Sequence, residues 1–138
     1  MIIKYRLLSV EEMYPNAPKD YGAHIPNEYL IDADTQFIDE KGEIFFSDPA
    51  FPIAWFYLKV KKWSNRIFPS NFDWDGDDMG YLVKIRFEEL PNQITVTFEQ
   101  EDEPSLERHF EKAKFDKNIE GFIRSIPHEV KNVYNRSI

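Results

Sequence analysis

From Tyr81 to Glu99 the chain reads YLVKIRFEELPNQITVTFE, and two runs within it alternate apolar and polar residues. Tyr81, Val83, Ile85 and Phe87 alternate with Lys84, Arg86 and Glu88, while Ile94, Val96 and Phe98 alternate with Thr95, Thr97 and Glu99. A period of two places one set of side chains on each face of a strand. The intervening ELPNQ is turn-like, so the two runs read as an antiparallel hairpin with one buried face and one wet face. Such a sheet needs an apolar layer over its buried face.

Two segments can supply that layer. Starting at Ile53, the residues Phe56, Val60, Trp63 and Ile67 are spaced three and four apart as a helical stripe, with Asp48 and Pro49 upstream as start signals. Phe115, Ile119, Phe122, Ile126, Val130 and Val133 form a second stripe, which Asp116 can cap. Pro127 is expected to kink it, because proline supplies no amide hydrogen and crowds the carbonyl of Ile123. The first helix also carries Lys59, Lys62 and Arg66 on its polar side, with Trp55 at one end, and a solvated face is the ordinary reading of such a strip.

The remaining periods are shorter. Ile3, Tyr5 and Leu7 alternate with Lys4 and Arg6 as a strand. Residues 10–27, with Pro15, Pro18, Gly22 and Pro26, hold no period and read as a long irregular connection. Tyr29, Ile31, Ala33 and Phe37 then lead through DEKG, whose Gly42 can take positive φ, into EIFF, which gives another hairpin. Leu106 and Phe110 suggest a further strand, with a short helix through SLERHFEKA as the alternative. The order predicts an α+β fold: an antiparallel β-sheet of about five or six strands with two helices packed on one face, in a single domain over residues 1–138. No βαβ unit with a glycine-rich turn supports a nucleotide-binding fold.

Seventeen basic residues stand against twenty-five acidic ones, a net charge of −8. That field repels nucleic acid and anionic membrane and favours a basic partner. Without cysteine the chain has no disulfide, thiolate nucleophile or cysteine zinc site. Lys4 and Arg6 interrupt the apolar start MIIKYRLLSV, and FPIAWFYL is far shorter than a membrane span, so a cytoplasmic protein is expected.

Acidic residues concentrate in FDWDGDDMGYLVK, residues 72–84. A calcium loop starting at Asp73 would need glycine where Asp78 stands and a bidentate glutamate where Lys84 stands. A turn through Asp75-Gly76 and Gly80 fits better. Asp73, Trp74, Asp75, Asp77 and Asp78 then place carboxylates and an amphipathic aromatic on an exposed loop. Hairpin geometry returns Glu99, Glu101, Asp102 and Glu103 beside it, giving one acidic patch. The candidate partner-binding residues are Asp73, Trp74, Asp75, Asp77 and Asp78, with Glu101, Asp102 and Glu103 behind them. A solvated edge serving solubility is the simpler reading of the same residues.

Catalytic signals are sparse. His24, His109 and His128 have no helpful neighbours in sequence, although on a strand Glu107, His109 and Glu111 would share one face and could hold a metal or supply a base. No GxSxG, phosphate loop or HExxH occurs. No catalytic residue, cofactor or metal is assigned, and the chain is not expected to be an enzyme.

The succession FFSDPAFPIAWFYLKVKKW, FDWDGDDMGYLVKIRFEELPNQITVTFEQ and FDKNIEGFIRSI resembles the small acidic proteins found beside bacterial toxins and proposed as their immunity partners. In those families a helix ending in tryptophan is commonly followed by an acidic loop, a meander of strands and a terminal helix. The resemblance covers roughly residues 43–126. It implies a stoichiometric, non-catalytic inhibitor of a basic toxin-like protein. Two alternatives are a self-associating regulatory or scaffolding domain, seen as a homodimer using an edge strand or the Trp55 and Lys59 face, and a metal-dependent hydrolase built around His109.

Overall fold

The computed structural model describes residues 1–16 and 31–138, with the backbone alone at Asp78 and Met79. Strand β1, Ile2–Leu7, is followed by a one-turn helix α1, Val10–Met13. A capping box starts α1, in which Ser9 Oγ accepts from the Glu12 amide and the Glu12 carboxylate accepts from the Ser9 amide. Val10–Met13 is thus helical where an irregular connection over residues 10–27 is predicted, and residues 17–27 of that connection lie outside the described residues, as do Tyr29 and His24. Strands β2, Ala33–Ile38, and β3, Ile44–Phe51, form the expected hairpin, and Gly42 takes φ 80° in its turn. The three strands make an antiparallel sheet in the order β1-β2-β3.

Helix α2, Ile53–Ser64, then leads into a second antiparallel sheet, β4-β5-β6-β7. Its strands are Phe72–Asp75, Val83–Glu89, Gln93–Gln100 and Leu106–Glu111, and helix α3, Lys112–Tyr134, closes the chain. The α+β class with antiparallel sheets and two long helices is as the sequence predicts. Among the described residues the strands number seven and divide between two hydrogen-bonded sheets. Of the two readings for SLERHFEKA, the strand is the one formed, as β7 and its pairing with β6 show.

The division into two sheets follows from β3. Phe45 meets Phe98 on β6 and Phe110 on β7, Phe46 meets Phe98, and Phe51 meets Trp74 on β4. β3 therefore crosses the second sheet from one edge to the other, which demands apolar side chains at Phe45 and Phe46 in succession. Phe37 on β2 sits at the centre of this junction, fully buried, with ring contacts to Phe45, Phe46, Phe51, Phe56 and Phe98. Edge-to-face pairs of this kind add about 0.5–1.5 kcal/mol each beyond area burial.

Both helices cover the apolar face of the second sheet. Trp63 packs on Phe72 and Phe87, and Phe115 packs on Phe87 and Phe110. α3 also reaches the first sheet, where Tyr5 meets the Phe122 ring and its hydroxyl pairs with Ser125 Oγ at 2.6 Å. One continuous apolar cluster results.

Several local expectations are corrected. Asp48 and Pro49 belong to β3, and α2 starts only after Pro52. Asp116 lies inside α3, whose N-cap is Glu111, and faces Arg66 at 3.8 Å. On α3 the buried stripe ends on Tyr134 in place of Val133, which is exposed. Ile67 lies beyond the end of α2 and is 89% exposed. Trp55 is buried, so the Lys59 face has no aromatic end.

Candidate functional site

The acidic segment is held by β4 and a 3₁₀ turn, Gly76–Met79, instead of forming an open loop. Phe72 and Trp74 alternate inward and Asp73 and Asp75 outward, a strand period too short to recognise between Asn71 and Gly76. The Asp75 side chain accepts the Asp77 amide at 2.9 Å, starting the turn as a cap would. Gly80, at φ 74°, ends it, and the Tyr81 amide returns to the Gly76 carbonyl at 2.9 Å. A Cβ on Gly76 would press against the Tyr81 carbonyl and lie 2.8 Å from that of Val83. Glycine is therefore required at this position for close backbone approach.

Cross-strand register then fixes what stands beside each aspartate. Asp75 is opposite Lys84, and Lys84 is opposite Glu99; Asp73 is opposite Arg86, and Arg86 is opposite Thr97. Lys84 Nζ stands 4.0 Å from Asp75 and Arg86 Nε 3.8 Å from Asp73. All four side chains are largely exposed, so each pair is worth about 0–1 kcal/mol. The row of aspartates is thus partly compensated by the next strand.

Among the described residues no further cation pairs with the carboxylates beyond Lys84. Asp75, Asp77, Leu82, Lys84, Glu99 and Glu101 line a cleft of about 360 Å³ where β4 ends, β5 begins and β6 ends. It joins four carboxylates with one ammonium and with Leu82, which is 55% exposed. A guanidinium or ammonium on a partner could bond those carboxylates while an apolar neighbour covers Leu82.

Of the expected site residues, Asp75 and Asp77 meet Glu101 in this cleft, while Asp73 stands outside it against Arg86. Asp102 and Glu103 are exposed on the β6–β7 turn, with Asp102 at φ 63° and the Glu103 amide bonded to the Gln100 carbonyl at 3.2 Å. The Asp78 side chain lies outside the described residues. Trp74 corrects the expectation of an exposed aromatic: it is 2% exposed and packs among Phe51, Trp55, Phe56 and Tyr81. Sequence reasoning missed Leu82. It is the one apolar side chain on the outward positions of YLVKIRFEE, and that break in alternation is the signal that marks it.

No family model, curated protein or solved structure matches the chain. The functional reading therefore rests on its own residues.

His109 projects on the outer face of β7, as the strand period requires, with Glu107 and Glu111 also exposed. Its Nδ1 pairs with Gln93 Nε2 at 2.9 Å and Thr95 Oγ1 at 3.1 Å, while Nε2 stands 3.8 Å from Glu107. Among the described residues no group of three or more His, Asp or Glu side chains is placed to hold a metal ion. Among them, too, no helix is long and apolar enough to cross a membrane.

Proposed function

We propose that this protein is a non-catalytic protein-binding module, an immunity-type inhibitor that occupies the cation-rich surface of a basic, toxin-like partner. The observation that carries the reading is the cleft, where Asp75, Asp77, Glu99 and Glu101 converge around exposed Leu82. Converging like charges repel, and a basic partner relieves that cost on binding while the carboxylates steer its approach. Leu82, in place of Trp74, is the apolar anchor.

The test is capture of partners from the native host with the tagged protein, read by mass spectrometry at low and high salt. One basic protein at equimolar ratio, released by salt and lost from the Asp75→Asn, Asp77→Asn, Glu99→Gln, Glu101→Gln variant, is the expected result. Purified, that partner should lose its own activity on adding one equivalent of the inhibitor. Equal capture by the variant would remove the cleft from the interface.

A further inference from the structure

The far end of the second sheet carries a feature of opposite character. Ile67 and Phe68, consecutive in the α2–β4 connection, are 89% and 78% exposed. Single exposed apolar residues are ordinary on a soluble surface, but two bulky neighbours at nearly full exposure are not. A slack loop would fold them down. This one is fastened on both sides: Trp63 Nε1 donates to the Ser70 carbonyl at 2.9 Å, and the Ser70 amide donates to Glu89 at 3.2 Å. Arg66 is bonded to the same Glu89, and the Glu89 amide donates to Asn71 Oδ1 at 3.2 Å. Leu90, next to Glu89 in sequence, is also 40% exposed. The tip is therefore held out in a preorganised form, which lowers the ordering cost of binding through it.

The segment that carries it is basic in an acidic protein, although Glu89 and Asp116 face Arg66 from β5 and α3. From Pro49 to Phe72 there is no Asp or Glu, while Lys59, Lys61, Lys62 and Arg66 fall within that stretch. Lys59, Lys61 and Lys62 are exposed and make no ion pair among the described residues. The tip thus presents apolar side chains just past a helix whose exposed charges, Lys59, Lys61 and Lys62, are cations. The cleft at the other end of β5 presents exposed Leu82 ringed by Asp75, Asp77, Glu99 and Glu101. The two surfaces are complementary in charge and both offer apolar area, and seven strand residues at about 3.3 Å each hold them roughly 20 Å apart in one molecule. One chain cannot fill its own cleft.

We infer that the Ile67–Phe68 tip of one copy seats in the Leu82 cleft of a second copy. The contact is head-to-tail, with Lys61 and Lys62 facing the cleft carboxylates, and it leaves a free tip and a free cleft at the ends of each assembly. It rests on reading the cleft as a protein-binding site. Self-assembly would hold the same carboxylates that a basic partner needs, so assembly and partner capture compete.

A mixing experiment tests this. Sedimentation velocity of the wild type should show a weight-average coefficient that rises with concentration and falls back with added salt. Ile67→Asp/Phe68→Asp, which destroys the tip, and Leu82→Arg/Glu101→Lys, which destroys the cleft, should each raise the apparent dissociation constant more than tenfold. Circular dichroism confirms that both remain folded. Mixed at equal concentration, the two variants retain one good cleft and one good tip between them, so a dimer that grows no further should reappear. A wild type that stays monomeric, assembly that survives in either folded variant, or a mixture that stays monomeric overturns the inference. The tip variant keeps its cleft and should still capture a basic partner, so loss of self-assembly alone is separable from failure of the proposed function.

Discussion

Arg66, just past the end of α2, grips Glu89 at the end of β5 through two nearly parallel bonds, Nε to Oε2 at 2.6 Å and Nη2 to Oε1 at 2.8 Å. The Glu89 side chain is 3% exposed, and Lys112 Nζ adds a third contact at 2.8 Å. The guanidinium itself lies 3.6 Å from the Trp63 ring centre. One carboxylate thereby ties α2, β5 and the start of α3 together. A buried carboxylate is tolerable only with such partners, and removing one partner leaves an uncompensated charge.

Arg66 chiefly, with Lys112 and the Ser70 amide, and against the opposing effect of burial, brings the Glu89 carboxyl down to about 2 from an ordinary 4.5. A depressed carboxyl contributes stability that is complete above its unfolded value and is lost as pH falls through its folded value. Two and a half units correspond to about 3 kcal/mol. Glu89→Gln should therefore cost about 3 kcal/mol at pH 7 in urea denaturation. The gap to wild type should begin to narrow below pH 4.5 and close near pH 2. A gap of the same size at pH 7 and pH 3 would show that packing, not charge, carries the contact.

Asp32 shows the opposite sign. Burial, and then the nearby Asp48 carboxylate, push its carboxyl up to about 6 from 3.8. Asp48 is itself engaged, accepting the Tyr81 hydroxyl and the Ala50 amide. A raised carboxyl costs stability above its folded value, and the cost disappears once both folded and unfolded chains are protonated. Two units correspond to about 3 kcal/mol, which partial solvent screening reduces to about 1 kcal/mol. Asp32→Asn should accordingly stabilise the protein by about 1 kcal/mol at pH 8 and by almost nothing at pH 4, measured as paired thermal melts.

These two carboxylates mark the limit of what the sequence discloses. Long regular periods were legible: the β5–β6 hairpin and the α3 stripe from Phe115 to Val130 are read from spacing alone, because periodic burial imposes periodic residues. β4 was not legible, since its two inward residues, Phe72 and Trp74, sit among aspartates that resemble a loop. Nor was the crossing of β3 over the second sheet, which is a tertiary relation and breaks alternation at Phe45-Phe46. Half of the acidic site was legible, because hairpin geometry alone returns Glu101 toward Asp77. Lys84 as its partial counterion and Leu82 as its exposed apolar wall depend on register across β4, β5 and β6.

Glycine at position 76 offers a backbone test. Its added Cβ would meet two backbone carbonyls, which cannot rotate away, whereas Gly42 has open space around it and needs glycine only for its φ of 80°. Gly42→Ala should cost about 1 kcal/mol, the penalty of a left-handed conformation for an L residue. Gly76→Ala should cost clearly more, because the β4–β5 connection must shift, and it should also disturb the cleft. Urea midpoints of the two variants rank the effects, and equal losses would mean that the turn at Gly76 has room to relax.

Trp74 separates a structural aromatic from a binding one. Its ring contacts Phe51, Trp55 and Phe56, and its Nε1, fully buried, has no hydrogen-bond partner among the described residues. An unpaired buried donor costs about 1–3 kcal/mol, so the indole is kept for its area and not for its N–H. Trp74→Phe removes that donor along with some apolar area, and the two effects nearly offset, for a net change within about 1 kcal/mol in either direction. Trp74→Ala leaves a cavity and should cost about 3–5 kcal/mol. Because the ring is enclosed by the chain's own core, Trp74→Phe should leave salt-sensitive capture of a basic partner unchanged, while Leu82→Ala weakens it. A folded Trp74→Phe protein that loses capture would reverse the assignment and return the tryptophan to the interface.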